Sequence, residues 1–423
     1  MKKKNLIVLG SIGLVVVIGA VIVGLVLSST PATRASGNVA NGSSASGAIV
    51  IAWNKELLHI VQTPGAQPTT VHPTRSYAIL HAAIYDAVIS ITRDAPAYLF
   101  STPAPSGARA DAAAAEAGHD ALVALYPKWK AVLDQQLASE LATIPNGAGK
   151  QQGIQVGQTV AASLLAMRAY DGSTATPTPF VPGKQPGDYQ LTPPKFAAPV
   201  FTAWAKVTPF VLHNAAQFRP GPPPAVTSQA YIQALNEVKS LGQNTSTTRT
   251  AEQTVIAKFW AGPIWNTWNE IAENAALAHH TNLETTAHLF AVLNLSFADS
   301  TIAFYDAKYH YQLWRPITAI RQSDPTWTPQ AVTALDPSYP SAHGVISGDG
   351  AAVLSAFFGN QDHISVTSDV LPEVVRSFTS YNDVSTEAGL SRIYAGQHTR
   401  IEIEVGSDLG HSVAQFVLQH IGH

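Results

Sequence analysis

Apolar residues recur three and four positions apart along most of this chain, and sustained apolar/polar alternation of the strand type does not compete with that pattern. Residues 75–91 place Tyr77, Leu80, Ile84, Ala87, Val88 and Ile91 on one helical face. Alanine-rich periodic runs over 110–125 and 129–144, separated at Pro127, predict two more helices, and 153–170 predicts another that stops before Asp171-Gly172. The pattern then breaks. From 173 to 228 prolines are so dense that no helix can run through them. The aromatic residues Phe180, Tyr189, Phe196, Phe201, Trp204, Phe210 and Phe218 nevertheless predict that this segment packs, as a roof over a pocket or over the channel to it. Helical spacing resumes over 229–241, 250–260, 265–279 and 283–306. The last run is expected to continue through Ala307 to about Trp314, because a residue preceding proline leaves the helical region. The expectation is an all-α fold with one large domain from 49 to 423.

The N-terminal end follows different rules. Lys2, Lys3 and Lys4 precede 22 residues, Leu6 to Leu27, without a charge. A signal-peptide core spans about 7 to 15 apolar residues, whereas about 20 cross a bilayer. Residues 1–28 therefore read as a signal anchor in preference to a cleaved signal peptide, and 29–48, rich in Ser, Ala, Gly and Asn, as a flexible linker. With the lysines retained in the cytoplasm, the domain is expected outside it, anchored by this helix or secreted.

Composition narrows the chemistry. With 25 basic and 28 acidic residues the net charge is −3, which gives no nucleic-acid footprint. The absence of cysteine excludes disulfides, thiolate metal sites and a cysteine nucleophile. Only 13% of residues are charged, against roughly a quarter in ordinary soluble proteins, so clustered charges carry information.

Three such clusters lie between 308 and 402: Lys308-Tyr-His-Tyr-Gln-Leu-Trp-Arg315-Pro316, then Tyr339-Pro340-Ser341-Ala342-His343-Gly344, then Ser391-Arg392-Ile-Tyr394-Ala-Gly396-Gln-His398-Thr-Arg-Ile-Glu402. A tetrahedral oxyanion such as phosphate or vanadate is costly to enclose unless several cations and N–H donors face it. Lys308, Arg315 and Arg392 supply three cations. Seven residues separate the first two, two helical turns, which predicts that both point from one helix face. Ser341 is placed near the cap of a helix running to Phe358, where free N–H groups make an anion site. His343 falls in its first turn as proton donor or acceptor, and His398 is free to bond the central atom. Glu402, four residues on, is expected to fix the His398 tautomer from the same helical face. The other histidines, among them His81, His279, His280, His310 and His411, read as structural, as does Asp86.

These motifs resemble the signature shared by vanadium-dependent haloperoxidases and type 2 phosphatidic acid phosphatases, K-x6-RP, PSGH and SR-x5-H-x3-D. Ala342 stands where that pattern has Gly, and Glu402 where it has Asp. Outside the signature, ILHAAIYDAV, KVTPF, QFRPGPPP, RTAEQTVIAKFW and FYDAKYHYQLWRPITAI resemble the bacterial haloperoxidase branch, from about Trp53 to the C-terminus. The resemblance implies a helical bundle with the site in its core. It also implies oxyanion binding by Lys308, Arg315, Ser341, Ala342 and Arg392, catalysis by His343 and His398, and vanadate held by His398 while hydrogen peroxide oxidises halide. The alternative within the same geometry is an acid phosphatase that takes phosphate esters through a phosphohistidine on His398 and needs no cofactor. A non-catalytic oxyanion-binding protein is a third reading, and the two histidines count against it. Asp336 stands where the haloperoxidase branch often has an aromatic residue beside the halide, and an acid there is expected to repel halide.

Overall fold

The computed structural model of the protein describes residues 46–177 and 179–422. The predicted N-terminal anchor and nearly all of the linker lie outside the described residues.

The described chain is a helical bundle built around one long helix. Helices α1 (Ala48–Gln62), α2 (Pro73–Thr92), α3 (Ala110–Leu125), α4 (Lys130–Thr143) and α5 (Ala148–Arg168) precede the proline-rich segment. After it come α6 (Gln229–Leu241), α7 (Ala251–Phe259), α8 (Ile264–Ala278), α9 (Leu283–Tyr311), α10 (Pro316–Ile320) and α11 (Ala342–Phe358). A hairpin of β1 (Gln361–Val366) and β2 (Arg376–Ser380) follows, then α12 (Tyr381–Tyr394) and α13 (Arg400–His420). Helix α9 starts where the Asn282 side chain accepts the Thr285 N–H at 2.8 Å. Most of it is buried, with apolar residues on all sides and a few polar ones such as Asn294 and Asp299 that find partners inside. Its length and composition would suit a bilayer, but α2, α8, α11 and α13 enclose it within the bundle.

The proline-rich excursion packs because the core offers it acceptors. Asp299, fully buried on α9, accepts the backbone N–H groups of Phe210, Val211 and Leu212 at 2.6 to 2.7 Å. Proline leaves a chain short of regular backbone partners, and one carboxylate satisfies three donors here. Arg219 pairs with Asp306 further along α9 through two bonds of 2.6 and 2.8 Å. Tyr189, Trp204, Phe210 and Leu212 are buried, while Phe196 is 59% exposed and takes no part in the packing.

Helices α11 and α13 pack at backbone distance. A Cβ on Gly348 would lie 2.5 Å from the Ser407 carbonyl oxygen, and one on Gly410 would collide with the Val345 carbonyl. Hydrogen at these positions lets the two helices that carry His343 and Glu402 approach each other directly.

The structure departs from the sequence expectation in the run from Lys308 to Arg315 and after α11. Helix α9 stops at Tyr311, with Gln312 left-handed at φ 49°. Arg315 therefore does not share a helix with Lys308; it is the N-cap residue of α10, ahead of Pro316 at the first helical position. The β1–β2 hairpin was not expected: its strands are short and only partly buried.

Candidate active site

A cavity of about 310 Å³ opens beneath the proline-rich segment, with Lys308, Arg315, Asp336, His343, Arg392 and His398 along its polar side. Each comes from a different local device. Lys308 is in the last turn of α9, Arg315 caps α10, His343 is in the first turn of α11, and Arg392 is in the last turn of α12. His398 sits one residue before Thr399, the N-cap of α13. It is therefore outside the helix, and its partnership with Glu402 comes from the capping box, not from a shared helical face.

That capping box fixes the imidazole. Glu402 Oε2 accepts from His398 Nδ1 at 2.8 Å, from Ser338 Oγ at 2.8 Å and from the Thr399 N–H at 3.1 Å. Burial pushes the Glu402 carboxyl up and the Ser338 hydrogen bond opposes it. Since a carboxylate only accepts, Nδ1 carries the proton and Nε2 keeps its lone pair. Nε2 faces Arg315 Nη1 at 3.0 Å. Burial, then the charges of Arg315 and Lys308, hold the ring well below the ordinary imidazole range, so it is neutral.

His343 is set in a similar way. Its Nε2 lies 2.9 Å from the Trp260 carbonyl, which can only accept, so Nδ1 holds the free lone pair. Burial and the nearby Arg392 keep this ring neutral as well. Ser341 caps α11, its Oγ accepting the Gly344 N–H at 3.4 Å, and its hydroxyl is not part of the cavity wall. Ala342 does line the cavity, so the methyl group that replaces Gly leaves the helix start open.

The cations differ in their compensation. Asp336 Oδ2 is 3.2 Å from Lys308 Nζ, and Oδ1 accepts from Arg315 Nη2. Burial pushes the Asp336 carboxyl up, but Lys308 and Arg315 bring it below its usual range. Burial lowers the Lys308 ammonium to about 8 against the pull of Asp336. The expected repulsion of halide by Asp336 is thus muted, because two cations hold its charge. Arg392 is 6% exposed and donates to Ser391 Oγ and the Ala257 carbonyl; among the described residues no carboxylate pairs with it. Burial and Arg315 lower it to about 10, so it remains charged at neutral pH. A buried guanidinium that no carboxylate among the described residues pairs with, in the same cavity as a neutral imidazole whose Nε2 accepts from Arg315, suits an anion.

The apolar end of the cavity carries groups that the motif spacing did not single out. His72, Phe201, Trp265, Phe304 and Tyr305 line it. Nothing in the sequence spacing links His72 to the motifs beyond residue 308.

Comparison with known proteins bears on the sequence and the fold. A family model described as the VCPO second helical-bundle domain matches residues 288–324 and 322–423, the stretch that holds all three motifs. The vanadium chloroperoxidase of Curvularia inaequalis is 22% identical over 492 aligned positions, covering 85% of this chain and 80% of that protein. The crystal structure of the first bacterial vanadium-dependent iodoperoxidase superposes with a TM-score of 0.78 at 27% identity, covering 89% of this chain and 97% of the other. A holo-type bacterial vanadium-dependent chloroperoxidase shares the fold, with a TM-score of 0.70 at 15% identity over 90% and 99% of the two chains. With the signature residues gathered in one cavity, the chain is similar in sequence and fold to vanadium-dependent haloperoxidases.

Proposed function

We propose that this protein is a vanadate-dependent haloperoxidase that oxidises halide with hydrogen peroxide. The observation that carries the reading is a buried Arg392 that no carboxylate among the described residues pairs with, close to a His398 whose Nδ1 is held by Glu402 and whose unprotonated Nε2 accepts from Arg315 in the cavity. The donor set fits vanadate: one neutral imidazole nitrogen for the metal, and Lys308, Arg315, Arg392 and the unpaired N–H groups at the start of α11 for its oxygens. When bound, vanadate supplies the Lewis acidity that makes hydrogen peroxide an oxygen donor to halide.

The chain's own residues do the rest. Glu402 holds the His398 proton on Nδ1 and so keeps Nε2 aimed into the cavity. The Trp260 carbonyl anchors His343 by Nε2, which leaves Nδ1 as the atom that takes a proton from incoming hydrogen peroxide. Arg315 and Lys308 hold Asp336, and the packed segment around Val200 and Phe201 limits water at the mouth.

The test begins with protein stripped of oxyanions. Bromination of a phenol-type dye that requires vanadate, peroxide and bromide together, and that is lost in His398→Ala, is the expected result. Hydrolysis of an aryl phosphate inhibited by vanadate, with no vanadate-dependent halogenation, would replace this reading with the phosphatase one.

The N-terminal run supports placement outside the cytoplasm on an uncleaved anchor: 22 uncharged residues behind three lysines exceed a signal-peptide core. Cell fractionation with N-terminal sequencing tests this. A soluble mature form beginning near Ser36 would overturn it.

A further inference from the structure

Among the described residues that line the cavity, the charged side chains are Lys308, Arg315, Arg392 and Asp336. Asp336 is 6% exposed and is tied to two of the cations. Its Oδ2 lies 3.2 Å from Lys308 Nζ, its Oδ1 accepts from Arg315 Nη2, and its backbone carbonyl accepts from Arg315 Nε at 2.8 Å. The chain on either side is fixed as well: the Leu335 carbonyl accepts the Val200 N–H at 2.9 Å, and the Ser338 N–H donates to the Leu313 carbonyl at 2.9 Å. The carboxylate is therefore held on the same ammonium and guanidinium that an oxyanion would use.

That position has two consequences for a guest, and the first is charge. Lys308, Arg315 and Arg392 face two carboxylates, Asp336 on the wall and Glu402 behind His398, while His343 and His398 are neutral. The surplus is a single positive charge, which an anion with one negative charge balances. A second negative charge is buried without compensation, next to a carboxylate that repels it. The other consequence is hydrogen bonding. A carboxylate has about four lone-pair sites and only accepts. The two cations leave part of that capacity open towards the cavity. An anion oxygen without a proton then meets lone pairs with lone pairs, whereas an O–H donates to Asp336 in a charge-assisted bond.

We propose that Asp336 makes this site selective for oxyanions that carry one negative charge and an O–H group, and that it rejects doubly charged oxyanions without a proton. In mildly acidic solution vanadate and phosphate are of the first kind, and sulfate is of the second. The inference rests on the haloperoxidase reading for the identity of the resident anion. The acid singled out in the sequence as a departure beside the halide is on this account a filter for the oxyanion.

The probes are inorganic phosphate and sulfate, which are close in size and shape and differ in charge and protonation. Binding is measured by titration calorimetry on protein stripped of oxyanions, in mildly acidic buffer, where the ion pairs with Lys308 and Arg315 keep Asp336 charged. Wild type is expected to bind phosphate about tenfold or more tightly than sulfate, the effect of one unit of charge at close range in a protein site. Asp336→Asn keeps the shape and removes the charge, so it is expected to raise sulfate affinity and bring the two anions within about twofold of each other. A merely structural role would weaken both anions together and leave their ratio as it was. Asp336→Ser, smaller and also uncharged, is the second variant should the first not fold. Equal affinities or a sulfate preference in wild type, no binding of either anion, or a ratio that both variants leave unchanged would overturn the proposal. Vanadate-dependent iodide oxidation is measured alongside. Oxidation without discrimination between the two anions sinks the role of Asp336 alone, whereas discrimination without any halide oxidation sinks the haloperoxidase reading and leaves that role standing.

Discussion

Glu402 Oε2 lies 2.8 Å from His398 Nδ1, and the same oxygen takes the Thr399 N–H that starts α13. One carboxylate thus caps a helix and sets an imidazole tautomer. Glu402→Gln preserves shape and size but replaces a charged acceptor with an amide. The His398 proton is then held less firmly on Nδ1, and the lone pair at Nε2 is less basic. Vanadate affinity, read by titrating stripped protein, is expected to fall 10- to 100-fold, the range for losing the partner of a metal-bound histidine. An unchanged affinity would show that the capping role alone explains Glu402.

Arg392 is expected to trade stability for binding. No carboxylate among the described residues pairs with its buried guanidinium, so removing the charge removes a desolvation cost that its two hydrogen bonds offset only in part. Arg392→Met keeps much of the side-chain volume. Without vanadate the variant is expected to be more stable than wild type, by about 1 kcal/mol or more, seen as a higher melting temperature. With vanadate the order reverses, because wild type gains binding energy that the variant cannot. A variant less stable in both conditions would show that Arg392 is a structural residue.

The sequence made the helices readable because their apolar spacing is regular, and the bounds of α3 and α6 coincide with the predicted ones. The cluster of cations and imidazoles was legible from motif order, but the reasons for its geometry were not. Lys308 and Arg315 reach one cavity across a left-handed turn at Gln312, not along one helix face, and no residue spacing reports that turn. Asp336 looked like a lone acid facing the halide, since its ion pairs with Lys308 and Arg315 depend on tertiary contacts. Strands β1 and β2 escaped because an exposed hairpin with an irregular register needs little apolar alternation.

Buried neutral histidines set the acid limit. Burial lowers His81 to about 3, while its Nε2 bonds Asn54 Oδ1 at 2.7 Å. A folded pKa below the unfolded value of about 6.5 means that the unfolded state binds the proton first. The stability this group contributes is therefore full above pH 6.5 and is lost as pH falls towards 3. Asp86 and Asp299, raised to about 6 by burial despite their backbone hydrogen bonds, act in the opposite sense between about 6 and 4, so the whole-protein profile is a mixture. The difference between wild type and His81→Gln isolates one proton. Between pH 6 and 4 the wild-type curve is expected to lose about 1.4 kcal/mol more per pH unit than the variant. Parallel curves would mean that His81 is charged in the folded protein.

The last prediction concerns distance. His343 is on α11 and Glu402 on α13, and these helices meet where Gly348 faces the Ser407 carbonyl. Gly348→Ala would place a Cβ 2.5 Å from that oxygen, closer than any relaxed contact, so the helices must part by several tenths of an ångström. In a packed core such a shift costs about 1–3 kcal/mol. The displacement also reaches the cavity, because the first turns of both helices carry its groups and the Ser341 N–H is bonded to the Glu402 carbonyl at 2.9 Å. Vanadate affinity is expected to fall about tenfold or more, as sites held to within half an ångström do when their supports move. Ala351→Gly, on the same helix, serves as the control: it removes a methyl group without wedging the helix pair apart. It is expected to lower the melting temperature and leave vanadate affinity within about twofold. Equal loss of affinity in both variants would show that general stability, and not the spacing of α11 from α13, governs the site.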